Sequence, residues 1–172
     1  MFPDFKEFLS VLNAYNVKYL IVGGQAVIRL SQPRTTQDLD ILIQHASNNG
    51  AALFRALQAF SAPLGSLTAA DFIEKGTYFT MGVPPVAIDI LPEIAGITFA
   101  AAWKNRATLV IDDETGLTAH FISREDLITA KLASARLQDL ADVEALRLAA
   151  AASVAVPPAK AHTRPKKKPK AT

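Results

Sequence analysis

The chain has 172 residues, of which 50% are hydrophobic, 20% are charged and none is cysteine. This length and apolar content predict one globular domain with an ample core, and they exclude wholesale disorder, collagen and coiled coil. The lack of cysteine excludes a disulfide scaffold, a thiolate zinc site and a cysteine nucleophile, and it fits a reducing compartment. No apolar run approaches the roughly 18 residues of a membrane span, and acidic residues near Met1 argue against a signal peptide, so we expect a cytoplasmic protein with no membrane partner.

The formal net charge of +2 is unevenly distributed along the chain. Residues 160–172 contain six basic residues and no acid, whereas residues 1–159 contain the other 12 basic residues and all 16 acidic ones. Prolines and the lack of large apolar side chains after Val156 predict that this tail is disordered. We therefore divide the chain into a folded domain, residues 1–156, and a disordered basic tail, residues 157–172. The tail is either a solubilising terminus or an electrostatic arm for nucleic-acid phosphates.

Hydrophobic spacing predicts alternating helices and strands in the first half of the chain. The apolar residues Phe5, Phe8, Leu9 and Leu12 follow helical spacing, and Gly23-Gly24 permits a tight turn after a short apolar strand. The predicted elements are helices over residues 3–16, 25–30 and 51–60 and strands over residues 19–22 and 39–43.

The second half predicts two strand pairs followed by helices. Residues 78–81 and 86–91 are joined by Gly82-Val83-Pro84-Pro85, which suggests a hairpin, and residues 108–111 and 118–122 form a further pair. Ser123 with Asp126 three residues later is a variant of the capping box, and it predicts a helix to about Arg136 that continues after a bend to about Ala152. The fold class is therefore α/β (α+β), a small mixed sheet flanked by helices with a helical C-terminal section.

Three acidic residues are the strongest candidates for chemistry. Side chains alternate along a strand, so Asp38 and Asp40 project to one side about 6 to 7 Å apart, a spacing that suits hard divalent cations. Asp89 interrupts an otherwise apolar strand, where a buried carboxylate is costly unless a cation or several donors compensate. Solvated strand ends, or an edge strand with Asp89 facing water, would also explain these residues.

The combination of these motifs resembles a known superfamily. Val22-Gly23-Gly24, then Asp38-Leu39-Asp40-Ile41 and a third acid at Asp89, is similar to the nucleotidyltransferase superfamily of DNA polymerase beta. Gly23-Gly24-Gln25-Ala26-Val27 with Arg34-Thr35-Thr36-Gln37-Asp38-Leu39-Asp40 resembles the first motif of AbiEii-type nucleotidyltransferases, which include toxins of abortive-infection toxin–antitoxin systems. The resemblance covers roughly residues 18–145.

A helical segment near the end of the domain extends the resemblance. Lys131 with Arg136, Asp139 and Asp142 resembles the later Lys-containing motif of the same family. Arg136 and Asp139 can also pair on one helix face, and Asp142 extends that row, so a structural ion-pair cluster explains these three residues as well as catalysis does.

The resemblance implies a metal-dependent nucleotidyltransferase. Such an enzyme transfers an NMP from an NTP to a hydroxyl on RNA, tRNA included, or on protein, with a cognate antitoxin or toxin as partner. Asp38, Asp40 and Asp89 are implied to hold Mg²⁺ or Mn²⁺ and to be catalytic. The implied nucleotide-binding residues are Gly23, Gly24, Arg34, Thr36 and Lys131.

Two other functions remain open at this point. The chain could be a non-catalytic domain that binds a nucleotide or a partner, or an antitoxin-type nucleotidyltransferase that modifies a partner toxin. Other chemistries find little support, because His45, His120 and His162 lack metal-ligand spacing and no phosphate loop or nucleophile elbow is present. Trp103 and Phe99 are most simply explained by packing.

Overall fold

The structure, a computed structural model, describes residues 1–83 and 86–155. The predicted basic tail, residues 157–172, lies outside the described residues, as do Pro84 and Pro85. The helices are α1 (Pro3–Ala14), α2 (Gly23–Leu30), α3 (Ser47–Ala59), α4 (Phe99–Asn105), α5 (Arg124–Ser134) and α6 (Leu137–Ala155), with a short 3-10 helix at Asp71–Ile73. The strands are β1 (Tyr19–Ile21), β2 (Asp38–Ile43), β3 (Phe79–Val83), β4 (Val86–Leu91), β5 (Ala107–Asp112) and β6 (Leu117–Phe121).

The six strands form one mixed sheet in the order β3-β4-β2-β1-β6-β5. The two outer pairs, β3 with β4 and β5 with β6, are antiparallel, and both pairings were predicted, the first of them as a hairpin. In the centre β1 runs antiparallel to β2, while β2 is parallel to β4 and β1 is parallel to β6. The helices flank this sheet, so the predicted α/β fold class is confirmed.

The core follows from the apolar spacing of α1 and from the central strands. The four apolar residues of α1, Phe5, Phe8, Leu9 and Leu12, are completely buried. All three residues of β1 are also buried, which is typical of a central strand covered on both faces. Strands β1 and β2 therefore lie at the centre of the domain, and they give the residues at their ends a rigid support.

Two short elements were not predicted from the sequence. Helix α4 has only seven residues and the 3-10 helix three, so neither is long enough to show helical periodicity. Strand β3 also continues through Gly82 and Val83, which the sequence placed in the connection. Phe99 stacks on Trp103 in α4 with ring centroids 5.5 Å apart, which confirms their predicted role in packing.

The C-terminal helices form the predicted bent pair. Ser123 caps α5, because its side chain accepts a hydrogen bond of 3.1 Å from the Asp126 backbone N–H. After α5, Ala135 adopts a left-handed backbone conformation with a φ of 50°, and the chain turns directly into α6. This tight turn packs α6 against α5. Within residues 1–83 and 86–155, no helix combines the length and apolar character required to cross a bilayer.

Candidate active site

Asp40 and Asp89 lie directly opposite each other on two neighbouring strands. Strands β2 and β4 are parallel, and their register pairs Asp40 with Asp89 and Asp38 with Ala87. Asp38 lies two residues before Asp40, so its side chain projects to the same side of the sheet. Leu39 and Ile41 alternate with them and are completely buried. The structure thus brings the three predicted acids to one side of the sheet, where β2 begins.

The environment of Asp40 disfavours its charged form. Burial raises the pKa of Asp40, and the nearby charges of Asp89 and Asp38 raise it further. A hydrogen bond from the Gly24 backbone N–H and the positive charge of Lys131 act in the opposite direction. The net effect is a raised pKa, and a cation placed beside the cluster would favour the charged form of Asp40.

Asp89 is fixed by a neighbour that the sequence analysis missed. The Thr80 hydroxyl donates a hydrogen bond of 2.6 Å to Asp89 Oδ1, across the antiparallel pairing of β3 with β4. This bond orients the Asp89 carboxylate and uses only part of its acceptor capacity. Only the hairpin register, which the sequence did not define, could have identified Thr80.

Gly23 and Gly24 sit against the acidic cluster, and α2 already begins at Gly23, two residues before the predicted start of the helix. Gly23 has a φ of 55°, and a Cβ added to it would overlap the Asp40 carboxylate, lying 2.5 Å from Asp40 Cγ. A Cβ on Gly24 would lie 2.8 Å from Thr36 Cβ and 2.9 Å from Arg34 Nη2. The structure therefore brings all four predicted residues of this region together at the start of α2. The first backbone N–H groups of a helix favour anions, so a phosphate group suits this place.

Lys131 lies in a buried network of charges between α5, α6 and the loop before β2. Its Nζ is 2.8 Å from Asp139 Oδ1 and 2.7 Å from Asp142 Oδ2, and all three residues are at most 6% exposed. Arg34 approaches Asp142 from the loop, with Nε 3.1 Å from Oδ1 and Nη2 3.2 Å from Oδ2. Two of the predicted phosphate-binding cations are thus held by acids of α6.

The pKa of Asp139 reports the strength of this network. Burial alone would raise it, but hydrogen bonds from Arg136, Lys131 and Ser134 together outweigh burial and hold the pKa well below its usual value. The predicted pairing of Arg136 with Asp139 is confirmed, with Nε 2.7 Å from Oδ2. Arg136 itself remains largely exposed.

A cavity of about 280 Å³ adjoins Asp40 and the network. Its polar lining includes Gly23, Asp40, Lys131 and Arg136, while Leu91 and Leu127 contribute apolar walls. A cavity lined by carboxylates, cations and apolar side chains suits a ligand that carries both phosphates and an organic ring.

Carboxylate oxygens such as those of Asp40 and Asp89 are the kind of ligand that binds divalent cations. In the part of the chain that the structure describes, no group of three His, Cys, Asp or Glu side chains is arranged to hold one metal ion. Mg²⁺ is usually held by one or two carboxylates together with substrate phosphates, so the opposed pair Asp40 and Asp89 fits this kind of ligand set. Asp38 is exposed on the same side and could add a further oxygen.

The fold and the sequence place the chain among the nucleotidyltransferases. More particularly, it belongs to the family described as nucleotidyltransferase of unknown function (DUF6036), whose sequence profile matches residues 2–157. No curated protein matches the chain significantly. The match establishes the nucleotidyltransferase class, and the AbiEii-type resemblance stays a prediction.

Proposed function

We propose that the protein is a metal-dependent nucleotidyltransferase that transfers an NMP from an NTP to a hydroxyl group on RNA, tRNA included, or on protein. The observation that carries the proposal is the pairing of Asp40 with Asp89 on adjacent parallel strands, next to the Gly23-Gly24 turn. We further propose a toxin–antitoxin or abortive-infection setting, on the AbiEii-type resemblance of the segment from Arg34 to Asp40. The cognate partner would then be an antitoxin or a toxin.

In this proposal the acids hold Mg²⁺ or Mn²⁺ and the glycine turn receives the triphosphate. Asp38, Asp40 and Asp89 would be the protein ligands of the cation. A bound divalent cation would neutralise charge on the triphosphate and lower the pKa of the acceptor hydroxyl. The start of α2 would face a phosphate, and because Gly23 and Gly24 have no side chains, Asp40, Thr36 and Arg34 can approach this place closely.

The remaining predicted residues would bind the triphosphate. Arg34 offers a planar fork for phosphate oxygens, the Thr36 hydroxyl a neutral donor, and Lys131 a single point charge. Arg34 and Thr36 lie against Gly24, and Lys131 lines the cavity beside Asp40, so all three are within the same region.

The reaction joins the acceptor oxygen to the α-phosphorus of the NTP. The bond from the α-phosphorus to the oxygen bridging to the β-phosphate breaks, and pyrophosphate leaves with the electron pair of that bond. The acceptor hydroxyl gives its proton to solvent. Arg34 and Lys131, together with the divalent cation on the acids, would hold the triphosphate in line for this displacement.

A labelling assay with matched variants tests the proposal. The full-length protein is incubated with each α-labelled NTP, Mg²⁺ and a cell extract, and the RNA and protein fractions are then separated and counted. We expect one fraction to carry label with the wild type, and none with Asp40→Asn or Asp89→Asn. Asp113→Asn removes an exposed acid from the β5–β6 turn and should label normally.

The assay also separates the proposal from its alternatives. Binding of an NTP without any transfer would support a nucleotide-binding domain instead. Label that appears only on a co-expressed toxin would support an antitoxin-type enzyme. Transfer that persists in Asp40→Asn would overturn the proposed role of the acids.

A further inference from the structure

We propose that Asp142 is a positioning residue that holds Arg34 and Lys131 together, so that the triphosphate meets two cations already in place. The inference rests on the proposed function, because it takes these two residues as the phosphate-binding cations. It assigns a role to Asp142, which the sequence analysis explained equally well as part of a structural ion-pair cluster.

The contacts of Asp142 join three separate parts of the chain. Both of its carboxylate oxygens lie within 3.2 Å of the Arg34 guanidinium, and Oδ2 is also 2.7 Å from Lys131 Nζ. Arg34 comes from the loop before β2, Lys131 from α5 and Asp142 from α6. One carboxylate therefore fixes two cations that are far apart in sequence.

The arrangement leaves each cation able to bind a further anion. An ammonium group has three N–H donors, and two of those on Lys131 serve Asp139 and Asp142, so one is left for a further contact. Lys131 also lines the cavity with Asp40. Arg34 lies against Gly24 at the start of α2, and its side chain is 27% exposed. Asp142 thus binds each cation without using all of its donors.

Helix packing alone does not require this network. Asp142 lies on the same face of α6 as Val143 and Leu146, which are buried and apolar. Replacing a buried ion pair by apolar residues of similar volume is often neutral or stabilising. The buried carboxylate of Asp142 is therefore better explained by its contacts with Arg34 and Lys131 than by a contribution to the stability of the fold.

Asp139 provides the matched comparison. It lies one helical turn before Asp142, is equally buried and contacts the same Nζ of Lys131. Its other cation is Arg136, whose side chain is 79% exposed, and it makes no contact with Arg34 that the structure records. Both variants lose a buried acid and one contact with Lys131, whereas only Asp142→Asn also loses the contact with Arg34, so an effect of releasing Arg34 should appear only in Asp142→Asn.

The test measures transfer and nucleotide binding in full-length protein, at a temperature where each variant is folded by circular dichroism. We expect Asp142→Asn to raise the KM for NTP, and the Kd for a non-hydrolysable NTP analogue, about tenfold with a smaller change in kcat. Asp139→Asn should raise the KM by less than about threefold. Asp142→Glu keeps the charge and should give an intermediate KM.

The outcomes separate this inference from the proposed function. A wild type that neither binds nor transfers NTP would overturn both. A wild type that works, beside a folded Asp142→Asn with an unchanged KM or with the same KM as Asp139→Asn, would overturn only the positioning role. If Asp142→Asn does not fold, an Asp142→Glu variant with a wild-type KM would overturn it.

Discussion

Gly23 and Asp40 are packed so closely that no side chain fits between them. A Cβ on Gly23 would overlap the Asp40 carboxylate, and the backbone at Gly23 is left-handed, with a φ of 55°. The lack of space therefore requires glycine at this position, and the left-handed backbone conformation favours it.

We expect Gly23→Ala to displace Asp40 and to abolish transfer, because the new methyl group and the carboxylate cannot occupy the same place. The matched control is Gly65→Ala, which has the same φ of 55° with no atom within 4 Å of the added Cβ. Gly65→Ala should lower the unfolding free energy by only about 1 kcal/mol, which is the strain of a left-handed backbone at a non-glycine residue, and it should retain activity. Urea unfolding and the labelling assay together distinguish the two variants. Equal losses of stability with activity retained in both would show that Asp40 is free to move.

Asp40→Asn should abolish transfer while leaving the fold intact. Burial and the charges of Asp89 and Asp38 disfavour the Asp40 carboxylate, so removing its charge should leave the metal-free stability unchanged or raise it by about 1 kcal/mol. Mg²⁺ should raise the melting temperature of the wild type more than that of the variant, since binding to the native state stabilises it. Equal shifts in the two proteins would contradict the role of Asp40 as a metal ligand.

The stability of the α5–α6 pair should depend on pH through Asp139. Its pKa is lower in the folded protein than in the unfolded chain, so its contribution is fully present above the unfolded value of about 3.9 and is lost as the pH falls towards the folded pKa. Asp139→Asn should therefore cost about 3 kcal/mol at pH 7, and the gap to the wild type should narrow below about pH 4. Urea titrations from pH 3 to 7 measure this gap. If the difference in unfolding free energy between the wild type and Asp139→Asn does not change with pH, titration of Asp139 does not cause it.

Removal of residues 157–172 should leave the domain folded, because their composition offers little apolar surface to pack. If the acceptor is a nucleic acid, the truncation should weaken its binding and flatten the salt dependence, since up to six phosphate-neutralising charges are lost. NTP binding should not change. Acceptor affinity at several salt concentrations, with and without the tail, decides this. Identical slopes would leave the tail with a solubilising role.

The sequence by itself determined the fold class and most of the elements. Apolar side chains at helical or alternating spacing must be buried, so the pattern in α1, β2 and β4 predicts their structure without any distant partner. The same alternation predicted that Asp38 and Asp40 share one side of β2, and the diglycine motif predicted that β1 ends at Gly23. The unpredicted α4 and 3-10 helix are too short for periodicity to reveal.

Only the tertiary structure decided which residues meet across the chain. The register of β2 with β4, which places Asp89 opposite Asp40, depends on how two strands almost 50 residues apart are paired. The hydrogen bond from Thr80 to Asp89 and the contact of Arg34 with Asp142 depend likewise on strand pairing and on the docking of α6. Side-chain spacing is a local property of the backbone, whereas these contacts are fixed by packing of the whole core, and a single sequence carries no direct record of them.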